Sequence, residues 1–89
     1  MSKQHTPGPW FPYKRPEPIG YAEYEIHYGT SGECVAEVVH GEGNANLLAA
    51  APDLLAAARQ ALEECVDLRA TPAGDALATA IAKATGSAA

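Results

Sequence analysis

IGYAEYEIHYGTSGECVAEVVH, residues 19–40, decides the fold. Tyr24, Ile26 and Tyr28 alternate with Glu23, Glu25 and His27. A period of two lays one apolar and one charged face along a β-strand. A strand is therefore predicted over Ile19–Tyr28. Gly29-Thr30-Ser31-Gly32 supplies a four-residue hairpin loop. A second strand is predicted over Glu33–His40, supported by Val35, Val38 and Val39. Its alternation is less regular, which is the pattern of a strand buried on both faces. A two-stranded hairpin is marginal in water, so this one needs a third strand, a helix or a partner chain.

Downstream, Gly41-Glu42-Gly43 breaks the strand, and Asn44 or Asn46 is expected to cap a helix over Ala45–Ala51. Pro52 interrupts that run. Proline suits the first turn of a helix, so a second helix is expected to open there, with Asp53 matching the N-terminal dipole. Leu54, Leu55, Ala58, Leu62, Cys65 and Val66 fall on one stripe at helical spacing, and Arg59, Gln60, Glu63, Glu64 and Asp67 on the other face. Thr71-Pro72 reads as a cap and first residue of a third helix. Leu77, Ile81 and Ala84 form its apolar line, Lys83 lies near its C-terminus, and Gly86 ends it. The tail Ser87-Ala88-Ala89 is expected to fray.

Upstream, residues 1–18 carry five of the seven prolines. Proline removes backbone donors and favours extended chain, so this arm is neither a helix nor a central strand. Trp10, Phe11 and Tyr13 are too apolar for a solvated tail. The Pro-Gly-Pro-Trp segment is expected to bend stiffly, and Trp10–Tyr13 is a candidate third strand at an edge. The whole is an α+β layout: a small antiparallel β-hairpin or sheet with C-terminal helices packed on one face. It is read as a single small domain over 1–89, with an arm over 1–18, a hairpin over 19–40 and a helical region over 44–86.

With 89 residues, nineteen of them alanine, the chain is too short for a Rossmann, TIM-barrel or α/β-hydrolase enzyme. Its core is thin, which makes homo-oligomerisation the expectation. The net charge is −5, unevenly spread. Residues 1–16 hold Lys3, Lys14 and Arg15 and no acid, whereas residues 17–89 hold eleven acids and three bases. An acidic body repels a polyanion, so no long nucleic acid is expected as partner. Cys34 and Cys65 are too few for a disulfide scaffold and fit apolar positions, so both are expected to be buried free thiols. Met1–Arg15 does not read as a signal peptide, and no apolar run approaches the roughly 20 residues of a membrane span. A cytoplasmic protein with no membrane partner is expected.

Catalytic patterns are weak. Ser31 lacks a nucleophile-elbow context, and Gly41-Glu42-Gly43 lacks the rest of a phosphate loop. The pairs Glu23/Glu25 and Glu33/Glu37 read as solvated strand faces. His27, Cys34 and His40 approach across the hairpin, but their spacing matches no established ligand pattern, so neither metal nor other cofactor is expected. Binding is easier to motivate. The arm interleaves His5, Trp10, Tyr13, Lys14 and Arg15. Aromatics stack a base, and Lys or Arg neutralises a phosphate, a mixture suited to a small nucleotide. Trp10, Tyr13, Lys14 and Arg15, with Tyr24 and His27 from the hairpin, are the six candidate ligand-binding residues, and Tyr28 and His40 are placed to extend such a pocket. The plain reading of Trp10 and the tyrosines is core packing, and that of the histidines is exposed strand positions. A protein-binding surface uses aromatics and arginine as well.

Two segments resemble small accessory proteins of tailed bacteriophages and prophages. They are His5-Thr6-Pro7-Gly8-Pro9-Trp10 and Asn44-Ala45-Asn46-Leu47-Leu48-Ala49-Ala50-Ala51-Pro52-Asp53-Leu54-Leu55, about a fifth of the chain. In that family such an arm precedes a short β region, and a helix-proline-helix follows, the order seen here. A basic residue commonly stands where this chain has Asn46. The resemblance implies a counter-defence role: a homo-oligomer that sequesters a cyclic dinucleotide or a cyclic ADP-ribose-type immune signal without catalysis, in pockets at subunit interfaces. Three other roles are open: a protein-binding inhibitor of a bacterial defence or host complex, a small hydrolase of the signal using His27 or His40, and a plain structural or regulatory phage role.

Overall fold

The computed structural model describes residues 5–16, 22–29 and 32–86. Parts of the expected first strand and hairpin loop, including Ile19, Thr30 and Ser31, lie outside the described residues, as do Lys3 and the tail from Ser87. The fold is α+β. Its strands are β1 (Trp10–Lys14), β2 (Glu23–Tyr28) and β3 (Glu33–His40). They precede α1 (Glu42–Ala49), α2 (Ala51–Glu64), a short 3-10 helix (Val66–Ala70) and α3 (Pro72–Thr85). Among the described residues two compact units are formed, Thr6–Asp53 and a second over residues 54–86.

In the first unit the strands make one antiparallel sheet in the order β1-β2-β3. The aromatic arm does supply the third strand. Its Pro12 is tolerated because β1 is an edge. In register, Trp10, Pro12 and Lys14 face Tyr28, Ile26 and Tyr24, while Phe11 and Tyr13 face His27 and Glu25. The core lies under one side of the sheet: Tyr24, Ile26, Val39, Ala45 and Ala49 are buried, with Trp10, Ala22, Val35 and Ala36 packed against them. α1 packs on all three strands. It turns Ala45 and Ala49 inward, and these small side chains let the helix backbone approach closely. Leu47 and Leu48 point outward, 64% and 42% exposed.

The irregular pattern of β3 has a different cause from the one expected. The strand is not buried on both faces. Its register to β2 shifts between Tyr24 and Ile26 and again between Ile26 and His27. A bulge resets the alternation, so Ala36 and Val39, opposite Ile26 and Tyr24, both face the core. The helix start also differs from expectation. Neither Asn44 nor Asn46 caps α1. Gly41, at φ 92°, turns the chain directly out of β3 and serves as N-cap without a side-chain bond, a backbone conformation that glycine adopts readily. Asn44 instead donates from Nδ2 to the His40 carbonyl at 2.9 Å.

Pro52 stands in the first turn of α2 with Asp53 beside it. A Cβ at Gly8 would lie 3.0 Å from Pro52 Cβ and Cγ. The two segments that carry the phage resemblance therefore meet: the arm's glycine closes against the proline of the helix junction.

In the second unit, Leu55, Ala58 and Leu62 of α2 are half-buried as the stripe requires, but Leu54 at its start and Cys65 and Val66 at its end are exposed. The helix stops at Glu64 and the chain turns into the 3-10 helix at Cys65, with φ −110° and ψ 83°. The 3.6-residue stripe ends there, so the expectation of a buried Cys65 thiol fails. Arg69 Nε donates to the Leu62 carbonyl at 2.8 Å. The start of α3 is as read: Thr71 Oγ1 accepts from Gly74 N at 3.0 Å, with Pro72 at the first position. Gly86, in the left-handed conformation, ends the helix. Gly74 is buried, and a Cβ there would overlap the Leu68 carbonyl and lie 2.9 Å from Arg69 Cα. Only hydrogen allows α3 so close to the 3-10 helix.

Candidate functional site

The face of the sheet opposite α1 carries a polar cluster. Strand alternation puts Phe11 and Tyr13 of β1 on it, followed by Arg15, whose backbone N donates to the Glu23 carbonyl at 2.9 Å and so continues the ladder. From β2 come Glu23, Glu25 and His27. From β3 come Cys34, paired with His27, and His40, paired with Glu23.

Glu25 is the hub. Its Oε1 lies 2.7 Å from His27 Nε2 and accepts from Cys34 Sγ at 3.5 Å. Its Oε2 faces Arg15 Nε at 3.7 Å. Arg15 also reaches Glu23 at 4.0 Å and donates to the Glu37 carbonyl at 3.4 Å. Glu23 in turn lies 3.5 Å from His40 Nε2. The Tyr13 and His27 rings stack with centroids 4.8 Å apart and planes 13° apart. They are diagonal neighbours across β1 and β2, a distance aromatic side chains span. Tyr13 is 52% exposed and Phe11 48%.

The hydrogen bond from His27 holds the Glu25 carboxyl below its ordinary range, helped by the Cys34 thiol and Arg15 against the opposing effect of burial. Burial pushes the Cys34 thiol up, as do its bond to Glu25 and the nearby Glu25 and Glu37 charges. Beside the cluster, the charge of Glu33 raises the Tyr28 phenol, which donates to Glu33 Oε2 at 3.3 Å. Cys34 is half-buried rather than fully buried.

Of the six residues expected to bind a ligand, Tyr13, Arg15 and His27 come together on this open face. The other three lie on the core-facing side. Trp10 is half-buried against the core, with its indole N–H donating to the Thr6 carbonyl at 3.1 Å. Tyr24 is buried, and Lys14 stands opposite it in register with an exposed side chain. The reading of His27, Cys34 and His40 as neighbours is right for the first two. Glu25 replaces His40 in that group, since His40 sits on Glu23. A four-residue loop between Tyr28 and Glu33 carries this information. It sets Tyr28 opposite Glu33 and His27 opposite Cys34, and alternation places Glu25 on the same face as His27.

Among the described residues, no helix is long and apolar enough to cross a membrane. The chain belongs to the family described as Salmonella phage P22 protein Y8K6, whose model matches residues 1–88. No curated protein and no solved structure matches it.

Proposed function

We propose that this phage protein is a non-catalytic binder that sequesters a small nucleotide immune signal in the cytoplasm of the infected bacterium. The observation that carries this reading is the Tyr13–His27 stack with Arg15 two residues along the same strand face. A half-exposed tyrosine backed by an imidazole offers a base a π-surface, and the adjacent guanidinium offers a phosphate a partner. Arg15 is shared between Glu23 and Glu25, so a phosphate must compete with these carboxylates.

The protein acts as a homo-oligomer in this reading. Support comes from α1, which buries alanines and exposes Leu47 and Leu48, and from α2, in which no described residue is buried. The test is retention. Purified protein is incubated with a panel of cyclic dinucleotides and cyclic ADP-ribose-type signals, free ligand is filtered off, the protein is heat-denatured, and both fractions are read by mass spectrometry. Intact ligand released by heat is the expected result, with affinity reduced roughly 5- to 150-fold in Tyr13→Ala, the value of one base–aromatic stack. Signals left free and unaltered overturn the nucleotide reading. A new product mass overturns the non-catalytic one.

One observation favours a second reading. Exposed Phe11 and Tyr13 beside Arg15 are also the residue types that anchor protein interfaces. An inhibitor of a defence or host complex built on this face predicts a stable protein partner in pull-down and no retained small molecule.

A further inference from the structure

We propose that Glu25, His27 and Cys34 form a binding site for a zinc-class divalent ion on the open face of the sheet. One ligand atom from each of the three lies within 4.8 Å of the others. Glu25 Oε1 is already 2.7 Å from His27 Nε2 and 3.5 Å from Cys34 Sγ. Zinc bond lengths at a tetrahedral angle set neighbouring ligand atoms about 3.3–3.6 Å apart. The cluster reaches that geometry through side-chain adjustments of about an ångström, with no change in the backbone pairing.

The donor set selects the ion. One sulfur, one imidazole nitrogen and one carboxylate oxygen suit zinc and its neighbours, whereas magnesium and calcium take oxygen alone. Three protein ligands leave one tetrahedral position for water or an incoming anion, as in zinc sites that exchange ligands. The scaffold is rigid: His27 and Cys34 are a cross-strand pair, and Glu25 lies two residues from His27 on the same strand face. Two further contacts orient the ligands, as outer-shell groups do at metal sites. Tyr13 stacks on the imidazole, and Arg15 occupies Glu25 Oε2, leaving Oε1 toward the other two ligands. On binding, the Cys34 thiol releases its proton to solvent and coordinates as thiolate. The imidazole coordinates through one nitrogen and keeps its proton on the other. No redox change is involved.

The site goes beyond the nucleotide reading and does not depend on it, because its test contains no nucleotide. Full-length protein stripped with chelator is titrated with Co²⁺ and followed by absorption. One ion per chain is expected, with a thiolate-to-cobalt charge-transfer band and the strong visible bands of a four-coordinate centre, both removed by Zn²⁺. Cys34→Ser should abolish the charge-transfer band, and His27→Gln should weaken binding by at least about tenfold, the scale on which even outer-shell losses act. Cys65→Ser should leave the spectrum unchanged. Circular dichroism checks each variant, and Glu25→Gln, with the same expected weakening, replaces any that fails to fold. Absence of a charge-transfer band in the wild-type protein overturns the proposal, as does a band that survives Cys34→Ser or vanishes in Cys65→Ser.

Discussion

The two cysteines show how far neighbouring residues set a side chain's chemistry. Thiolate is the reactive form of cysteine. Cys34 is half-buried and held protonated by burial, by its bond to Glu25 and by the charges of Glu25 and Glu37, whereas Cys65 is exposed. Limited alkylation at neutral pH should therefore label Cys65 first, as read by peptide mass spectrometry. Glu25→Gln should speed labelling of Cys34 by removing a charge and an acceptor that hold its proton. Equal labelling of the two sites in the wild-type protein would contradict this account. Glu25 itself makes a pH prediction. Its folded value lies below the ordinary carboxylate range, so the stability it adds is present above that range and is lost as pH falls through the folded value. Urea midpoints of wild-type and Glu25→Gln protein should converge as the solution is acidified. A gap that stays constant down to the acid limit would show that Glu25 acts through packing alone.

Among the elements, those defined by local chemistry were legible in the sequence. Thr71-Pro72 and Gly86 bound α3 as read, and the Tyr24/Ile26/Tyr28 alternation located β2. Three features were not legible, and each depends on something non-local. The bulges of β3 depend on pairing with β2, so its valines looked like a strand buried on both sides. The start of α1 depends on Gly41 leaving the sheet, with its N–H donating to the Ala22 carbonyl at 3.2 Å, so the asparagines looked like caps. The end of α2 depends on where the chain turns into the 3-10 helix, so Cys65 and Val66 looked like a continuing stripe. The candidate site was half legible. Alternation put Tyr13, Arg15 and His27 on one face, but the composition of the arm grouped them with Trp10 and Lys14, which the same alternation sends to the other side. The Thr71 cap offers a test at this scale. Its hydroxyl accepts from Gly74 N and donates to the Leu68 carbonyl at 2.6 Å. Thr71→Ala should lower stability by about 1 kcal/mol, a fall in Tm of roughly 4–8 °C for a domain of this size. Protection of the first-turn amides of α3 in hydrogen exchange should fall with it. An unchanged melting temperature would mean that Pro72 and packing against the 3-10 helix suffice to start α3.

For the whole molecule the question is what completes the core. The buried hydrophobic residues among those described are Tyr24, Ile26, Val39, Ala45 and Ala49, and two of these are alanine. Burying a large aliphatic side chain is worth about 1.5–3 kcal/mol. Ordering each residue's backbone costs about 1–2 kcal/mol. A core this small leaves little margin, while α1 holds two leucines away from it. Leu47 lies on the side of the helix opposite the alanines and Leu48 on the flank between, where a second copy would remove them from water without disturbing the packing of Ala45 and Ala49. The homo-oligomer reading therefore predicts that Leu47→Lys or Leu48→Lys reduces the assembled mass in light scattering and lowers the melting temperature along with it. It also predicts that the wild-type melting temperature rises with protein concentration, because association stabilises the folded chain by mass action. A concentration-independent transition, with both lysine variants melting like the wild type, would mean that the leucines are ordinary exposed surface and that the chain folds on its small core alone.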